Sequence, residues 1–168
     1  MTANDPIEQR VGAALRERDE TLAVAESCTG GLVGSLVTDV SGSSAYFDRS
    51  LVTYSYRAKQ ELLAVSREAL DDHGAVSEPV AAEMARSVRD TAGTDWGVAT
   101  TGVAGPTGGS PETPVGTVYI AVARAAPWET GASDCPVAHY EFEGSRTEVK
   151  AKIARRALED LFDTVRNQ

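Results

Sequence analysis

Between Pro6 and Asp19 apolar residues recur at Ile7, Val11, Ala14 and Leu15, the three-and-four spacing of an amphipathic helix. Leu22-Ala23-Val24-Ala25 breaks that spacing with a continuous apolar run ending at Glu26-Ser27, which predicts a buried strand. After Thr29-Gly30-Gly31 the helical spacing returns through Leu32, Leu36 and Val40. Val40-Ser41-Gly42-Ser43-Ser44 is loop-like, and Phe47 to Tyr56 carries enough β-branched and aromatic residues for a second strand. A short helix beginning near Arg57 is expected to turn Leu62 and Leu63 inward. Ser77-Glu78-Pro79 reads as an N-cap and first turn, followed by Val80, Met84 and Val88 in a helix that runs to about Thr91 and is closed by Gly93.

Trp96 to Thr100 is another apolar strand, running into Thr101-Gly102-Val103-Ala104-Gly105-Pro106 and a polar loop that ends at Pro114. That loop is too rich in Gly and Pro for an element and too long for a plain connector. Gly116 to Val122 and Val137 to Phe142 read as strands, the second with Ala138, Tyr140 and Phe142 on one face and His139 and Glu141 on the other. A final helix starts near Gly144-Ser145 and reaches Val165.

Helices interleaved with strands, then two strands with no helix between them, predict the α/β class: a single three-layer α/β/α domain over residues 1–168, with a mixed, mostly parallel central sheet. Ala125 to Cys135 is expected to be a hairpin loop. A chain of 168 residues buries enough surface to need no staple. Cys28 and Cys135 lie far apart with no paired spacing, the usage of reduced thiols, and no run approaches the ~18 apolar residues of a membrane span. The first thirty residues lack a basic start followed by an apolar run, so a soluble, cytoplasmic protein without membrane contact is expected.

The formal charge of −9 is spread along the chain, which disfavours nucleic acid as a partner because phosphate backbones are held by clustered Lys and Arg. Two isolated histidines, no HExxH and no paired cysteines point to no metal and no cofactor.

Two Gly-bearing turns follow predicted strands: Glu26-Ser27-Cys28-Thr29-Gly30-Gly31 and Thr101-Gly102-Val103-Ala104-Gly105-Pro106. In open α/β sheets ligands settle at the carboxyl ends of the strands, so both turns are placed to face one pocket. The first has neither the GxxxxGK[ST] nor the GxGxxG spacing, which leaves a serine at a strand-to-helix turn beside helix N-terminal amides suited to an anion. That is a fitting setting for a nucleophile, with Cys28 as the neighbouring alternative to Ser27. For a base, His73 reads as lying in a loop before a helix and His139 on a polar strand face, both away from the Gly-rich turns. Of the three lysines, Lys59 follows a strand end, whereas Lys150 and Lys152 lie on the terminal helix. As a base, Lys59 must have its pKa lowered from about 10.4 to roughly 7 or 8, which burial and a cationic neighbour are able to do; a solvated surface lysine is the alternative reading of the same position.

The ordered strings AESCTGG, GSSAYF, VTYSYRAK, HGAVSEPVA, TTGVAGPTGG and PVGTVYIAV resemble the C-terminal domain of the CinA family, the PncC-like nicotinamide mononucleotide amidohydrolases. The resemblance runs from about Leu22 to the final helix and implies hydrolysis of the carboxamide of nicotinamide mononucleotide by a Ser/Lys dyad. By motif it makes Ser27 the nucleophile, Lys59 the base and Tyr54 a helper that orients Lys59 or relays a proton. It further implies a nucleotide pocket lined by Cys28, Thr29, Gly30, Gly31, Ser43, Ser44, Thr101, Gly102, Ala104 and Gly105, with Arg146 for the phosphate, in a homo-oligomer. Two positions depart from the family pattern: Tyr56 stands where YSN is usual, and Ser50 replaces a glycine. A non-catalytic nucleotide-binding or regulatory module is the alternative that the same resemblance allows.

Overall fold

The computed structural model of the chain describes residues 5–168. Its elements are α1 (Ile7–Arg18), β1 (Leu22–Glu26), α2 (Leu32–Thr38), a 3-10 turn (Ser43–Ala45), β2 (Phe47–Val52), α3 (Tyr56–Leu63), α4 (Arg67–His73), α5 (Glu78–Ala92), β3 (Trp96–Gly102), β4 (Thr117–Arg124), β5 (Val137–Glu141) and α6 (Arg146–Arg166). The strands form one sheet in the order β2-β1-β3-β4-β5. β1 pairs in parallel with β2 and β3, while β4 runs antiparallel to both β3 and β5, so only β4 is reversed. This is the mixed, three-layer α/β/α arrangement expected from the sequence.

Strand alternation sorts the core into two halves. Leu22, Val24, Trp96, Val98, Ile120 and Val122 join the buried residues of α1, α2 and α6, whereas Ala23, Ala25, Ala99, Ala121 and Ala123 join those of α3, α4 and α5. The first half is built of large side chains, and fully buried residues such as Leu15, Leu158 and Leu161 each contribute roughly 1.5–3 kcal/mol. The second half presents almost only small residues to α5, which therefore sits close to the sheet: a β carbon on Gly97 would lie 2.2 Å from the carbonyl oxygen of Ala85.

Some boundaries and faces differ from expectation. β2 stops at Val52, before Tyr56, because the hydroxyl of Ser55 accepts from the amide of Ala58 and caps α3. On α3 Leu63 is buried but Leu62 is 51% exposed, since adjacent helical residues point about 100° apart. α4 was not expected, and His73 is its last residue instead of lying in a loop. α2 buries Val33, Gly34 and Val37, with Leu32 and Leu36 only flanking the core. Its roll is set by Glu26, whose carboxylate accepts from the amides of Gly31, Val33 and Gly34 and so turns that side toward the sheet. Ser77 stands at the N-cap of α5, but its hydroxyl donates to the carbonyl of Gly74. α6 opens with a reciprocal Ser145/Glu148 capping box. The segment between β4 and β5 is the anticipated hairpin loop, pinned by an Arg124–Asp134 bridge. Among the described residues no helix is long and apolar enough to cross a membrane.

Candidate active site

The chain leaves β1 to form β2 on one side and later returns to form β3 on the other, so the carboxyl ends of three parallel strands share one edge at a switch point. Ser27 follows β1, Thr53 and Tyr54 follow β2, and Thr101 and Gly102 close β3. β5, running in the same direction, ends at that edge and leads into Arg146 at the start of α6.

Ser27 is held within the sheet, its N–H donating to the carbonyl of Thr100 at 3.0 Å. α3, which packs against α5, delivers Lys59. Its Nζ donates to Oγ of Ser27 at 2.9 Å and to the carbonyl of Thr53 at 2.7 Å. Lys59 is completely buried, and burial lowers its pKa from 10.5 to about 8, with the neighbouring Cys28 a smaller opposing influence. About a tenth of such lysines are neutral at pH 7. At this distance a neutral amine is able to accept a proton from the serine hydroxyl along the line on which the ammonium donates, the geometry that general-base chemistry calls for. Cys28 is in the opposite condition: burial pushes its thiol up to about 12, outweighing its own backbone amide, Lys59 and Lys150, so it is protonated at neutral pH and a poor nucleophile beside Ser27.

The amides at the start of α2 do not serve an external anion. Glu26, fully buried, fills that place: Oε2 accepts from Thr29 Oγ1 at 2.7 Å, from Gly31 N at 2.8 Å and from Val33 N at 3.1 Å. Oε1 accepts from Gly34 N at 2.9 Å and from Ser50 Oγ at 2.8 Å. The carboxylate thus satisfies donors of the helix terminus and favours its positive end. Ser50, one of the two departures from the family pattern, supplies one of these bonds. Glu26 carried no role in the sequence reading, although a carboxylate closing a wholly apolar strand is itself a signal of a buried partner set.

A cavity of about 260 Å³ opens beside Ser27. Ser27, Cys28, Tyr54, Thr101, Gly102, Ala104 and Arg146 line it, together with Ala75, Val76, Val103, Thr107 and Gly108, which sequence reasoning missed. Gly105 contributes its carbonyl, which accepts from Arg146 Nη1 at 2.6 Å. Lys59 lies beneath Ser27, outside the lining. Neither histidine reaches the cavity.

Other expectations are corrected. Tyr54 does not orient Lys59: the carbonyl of Thr53 does, and the hydroxyl of Tyr54 accepts from Arg146 Nη2 at 3.1 Å. Thr29, Gly30 and Gly31 build the turn behind Ser27 and do not line the cavity, Gly31 accepting a φ of +101° that favours glycine. Ser43 and Ser44 lie at the opposite edge of the sheet, because the turn that holds them leads into the amino end of β2, beside the start of β1. A five-residue strand puts roughly 17 Å between the two edges.

Fold and site together define a three-layer α/β/α domain with a serine hydroxyl bonded to a buried lysine at the sheet edge. The chain belongs to the CinA C-terminal domain family, whose model matches residues 4–165. It is 44% identical over 156 residues to the nicotinamide-nucleotide amidohydrolase PncC of Escherichia coli K12, covering 93% of this chain and 91% of that protein. It is 49% identical over 161 residues to a CinA-like protein of Chlorobaculum tepidum, covering 96% of this chain but only 38% of the longer relative. Among solved structures, a CinA superfamily protein of Klebsiella pneumoniae superposes with a TM-score of 0.89 at 34% identity, over 96% of this chain and 97% of that one. The competence/damage inducible protein CihA of Agrobacterium tumefaciens gives 0.88 at 34% identity, over 100% and 99%.

Proposed function

We propose that this protein hydrolyses the carboxamide of nicotinamide mononucleotide, giving nicotinate mononucleotide and ammonia, with Ser27 as nucleophile and Lys59 as general base. The observation that carries the reading is the 2.9 Å contact between Lys59 Nζ and Ser27 Oγ at the floor of the cavity. The substrate is supported by the E. coli relative, a nicotinamide-nucleotide amidohydrolase that this chain matches almost from end to end.

Neutral Lys59 takes the hydroxyl proton as Oγ attacks the carboxamide carbon, and the carbonyl electron pair moves onto oxygen. The ammonium of Lys59 returns that proton to the departing nitrogen as the C–N bond breaks, ammonia leaves and an acyl ester remains on Ser27. Water then attacks the ester as Lys59 again accepts a proton, which it passes to Oγ as the acyl C–O bond breaks, and nicotinate mononucleotide departs from the regenerated Ser27. The Thr53 carbonyl fixes the direction of the amine throughout. Arg146, held by Gly105 and Tyr54, offers its planar fork to the substrate phosphate, and Tyr54 meets the substrate beside it.

Ammonia release from nicotinamide mononucleotide tests the reading. Wild type turns over; Ser27→Ala loses at least about a thousandfold in kcat while still binding the nucleotide, and Cys28→Ala keeps its activity. Tight binding by the wild type without turnover would make the protein a nucleotide-binding module instead.

A further inference from the structure

We infer that Tyr56 is a positioning residue for the substrate: with Thr101 it fixes the cavity wall formed by Ala75 and Val76. The inference rests on the proposed reading of the cavity.

Ala75 and Val76 belong to the short connection between α4 and α5 and form part of the cavity lining. A connector has backbone donors and acceptors that neither helix satisfies, so what holds them decides where it lies. Those of Ala75 are gripped from two directions. Its N–H donates to the phenolic oxygen of Tyr56 at 3.2 Å, and its carbonyl accepts from Thr101 Oγ1 at 2.6 Å. A third bond, from Ser77 Oγ to the carbonyl of Gly74 at 2.8 Å, is internal to the connector and does not attach it to the rest of the site.

The two anchors stand on the elements that carry the chemistry. Tyr56 is the first residue of α3, one turn before Lys59, and Thr101 sits on β3, next to the residue whose carbonyl holds Ser27. The wall is therefore tied to base and nucleophile at once, and its distance from both is set by these two hydroxyls. Tyr56 remains 49% exposed, so its hydroxyl serves the connector more than the core. The Thr101 hydroxyl, expected from the resemblance to face the nucleotide, is turned to Ala75 instead.

Tyr56→Phe removes one oxygen and keeps the ring, and two measurements read the result. Amide exchange at Ala75, followed by NMR without substrate, is expected to quicken about fivefold, the effect of one lost hydrogen bond. KM for nicotinamide mononucleotide is expected to rise about fivefold with kcat within about twofold of wild type, since the wall positions substrate and does not touch the reacting atoms. Leu62→Ala, exposed on the same helix, should move neither value. Unchanged exchange at Ala75 overturns the clamp, and faster exchange with an unmoved KM overturns the positioning role. A fall in kcat together with a lowered melting temperature also overturns it, by making Tyr56 merely structural. A wild type that releases no ammonia sinks the proposed reaction as well; an active wild type with KM unmoved in the variant sinks this inference alone.

Discussion

Replacing Lys59 by methionine separates what the buried amine does for chemistry from what it does to the fold. Burial moves its pKa from 10.5 to about 8, so the folded protein disfavours the ammonium by about 3 kcal/mol. Between pH 8 and 10.5 the folded chain has released this proton while the unfolded chain still holds it. Stability from this group therefore rises with pH across that window, and the penalty is fully present below pH 8. Lys59→Met removes the penalty but also the bonds to Ser27 and Thr53, about 1 kcal/mol each. At pH 6.5 the variant should be more stable than wild type by about 1 kcal/mol, and at pH 10.5 less stable by about 2 kcal/mol, with the curves crossing near pH 9. Urea unfolding followed by the fluorescence of Trp96, which is fully buried, gives both values on one pair of proteins, and groups common to the two cancel in the difference. A difference that stays constant from pH 6.5 to 10.5 would refute the reasoning, because Lys59 would then titrate like a solvated lysine and could not act as a base near neutrality.

The same shift governs turnover: kcat/KM should climb about tenfold per pH unit below pH 8 and level off above it, and Lys59→Arg, always protonated, should lose about a thousandfold or more at pH 8. Glu26→Gln puts an NH₂ group against donors that now meet a carboxylate oxygen, and should cost about 2–4 kcal/mol by urea unfolding; an unchanged midpoint would contradict the bonding described. Gly97→Ala drives a methyl group into the Ala85 carbonyl and should lower stability by about 3 kcal/mol or more in thermal melts, since backbone cannot swing aside as a side-chain tip can.

The layers were legible because each strand and long helix carries its period openly: Leu22 to Ala25 is apolar on both faces, as a central parallel strand must be, and α5 and α6 repeat at helical spacing. α4 escaped because seven residues offer barely two turns of pattern. Ser27 was legible from its turn, and Lys59 was set apart from Lys150 and Lys152 by following a strand end, but nothing in its local spacing tells of its burial, and only the family motifs gave it a role. Ser43 and Ser44 were misplaced for a different reason. Their string is Gly- and Ser-rich like the others, yet residues that precede a parallel strand lie at the edge opposite to those that follow it, a rule that strand direction alone supplies. Glu26 was passed over because its partners are mostly backbone amides, which have no signature among side-chain letters.

The pairing of Ser27 N–H with Thr100, continued by Thr53 N–H with the carbonyl of Glu26, extends the ladder of β1 past its formal end and into the turn that carries Ser27. No hinge separates Ser27 from a strand that is buried along its whole length. Thermal inactivation therefore has no private route: turnover should survive up to the temperature at which the whole domain melts, and the two losses should be superimposable on heating.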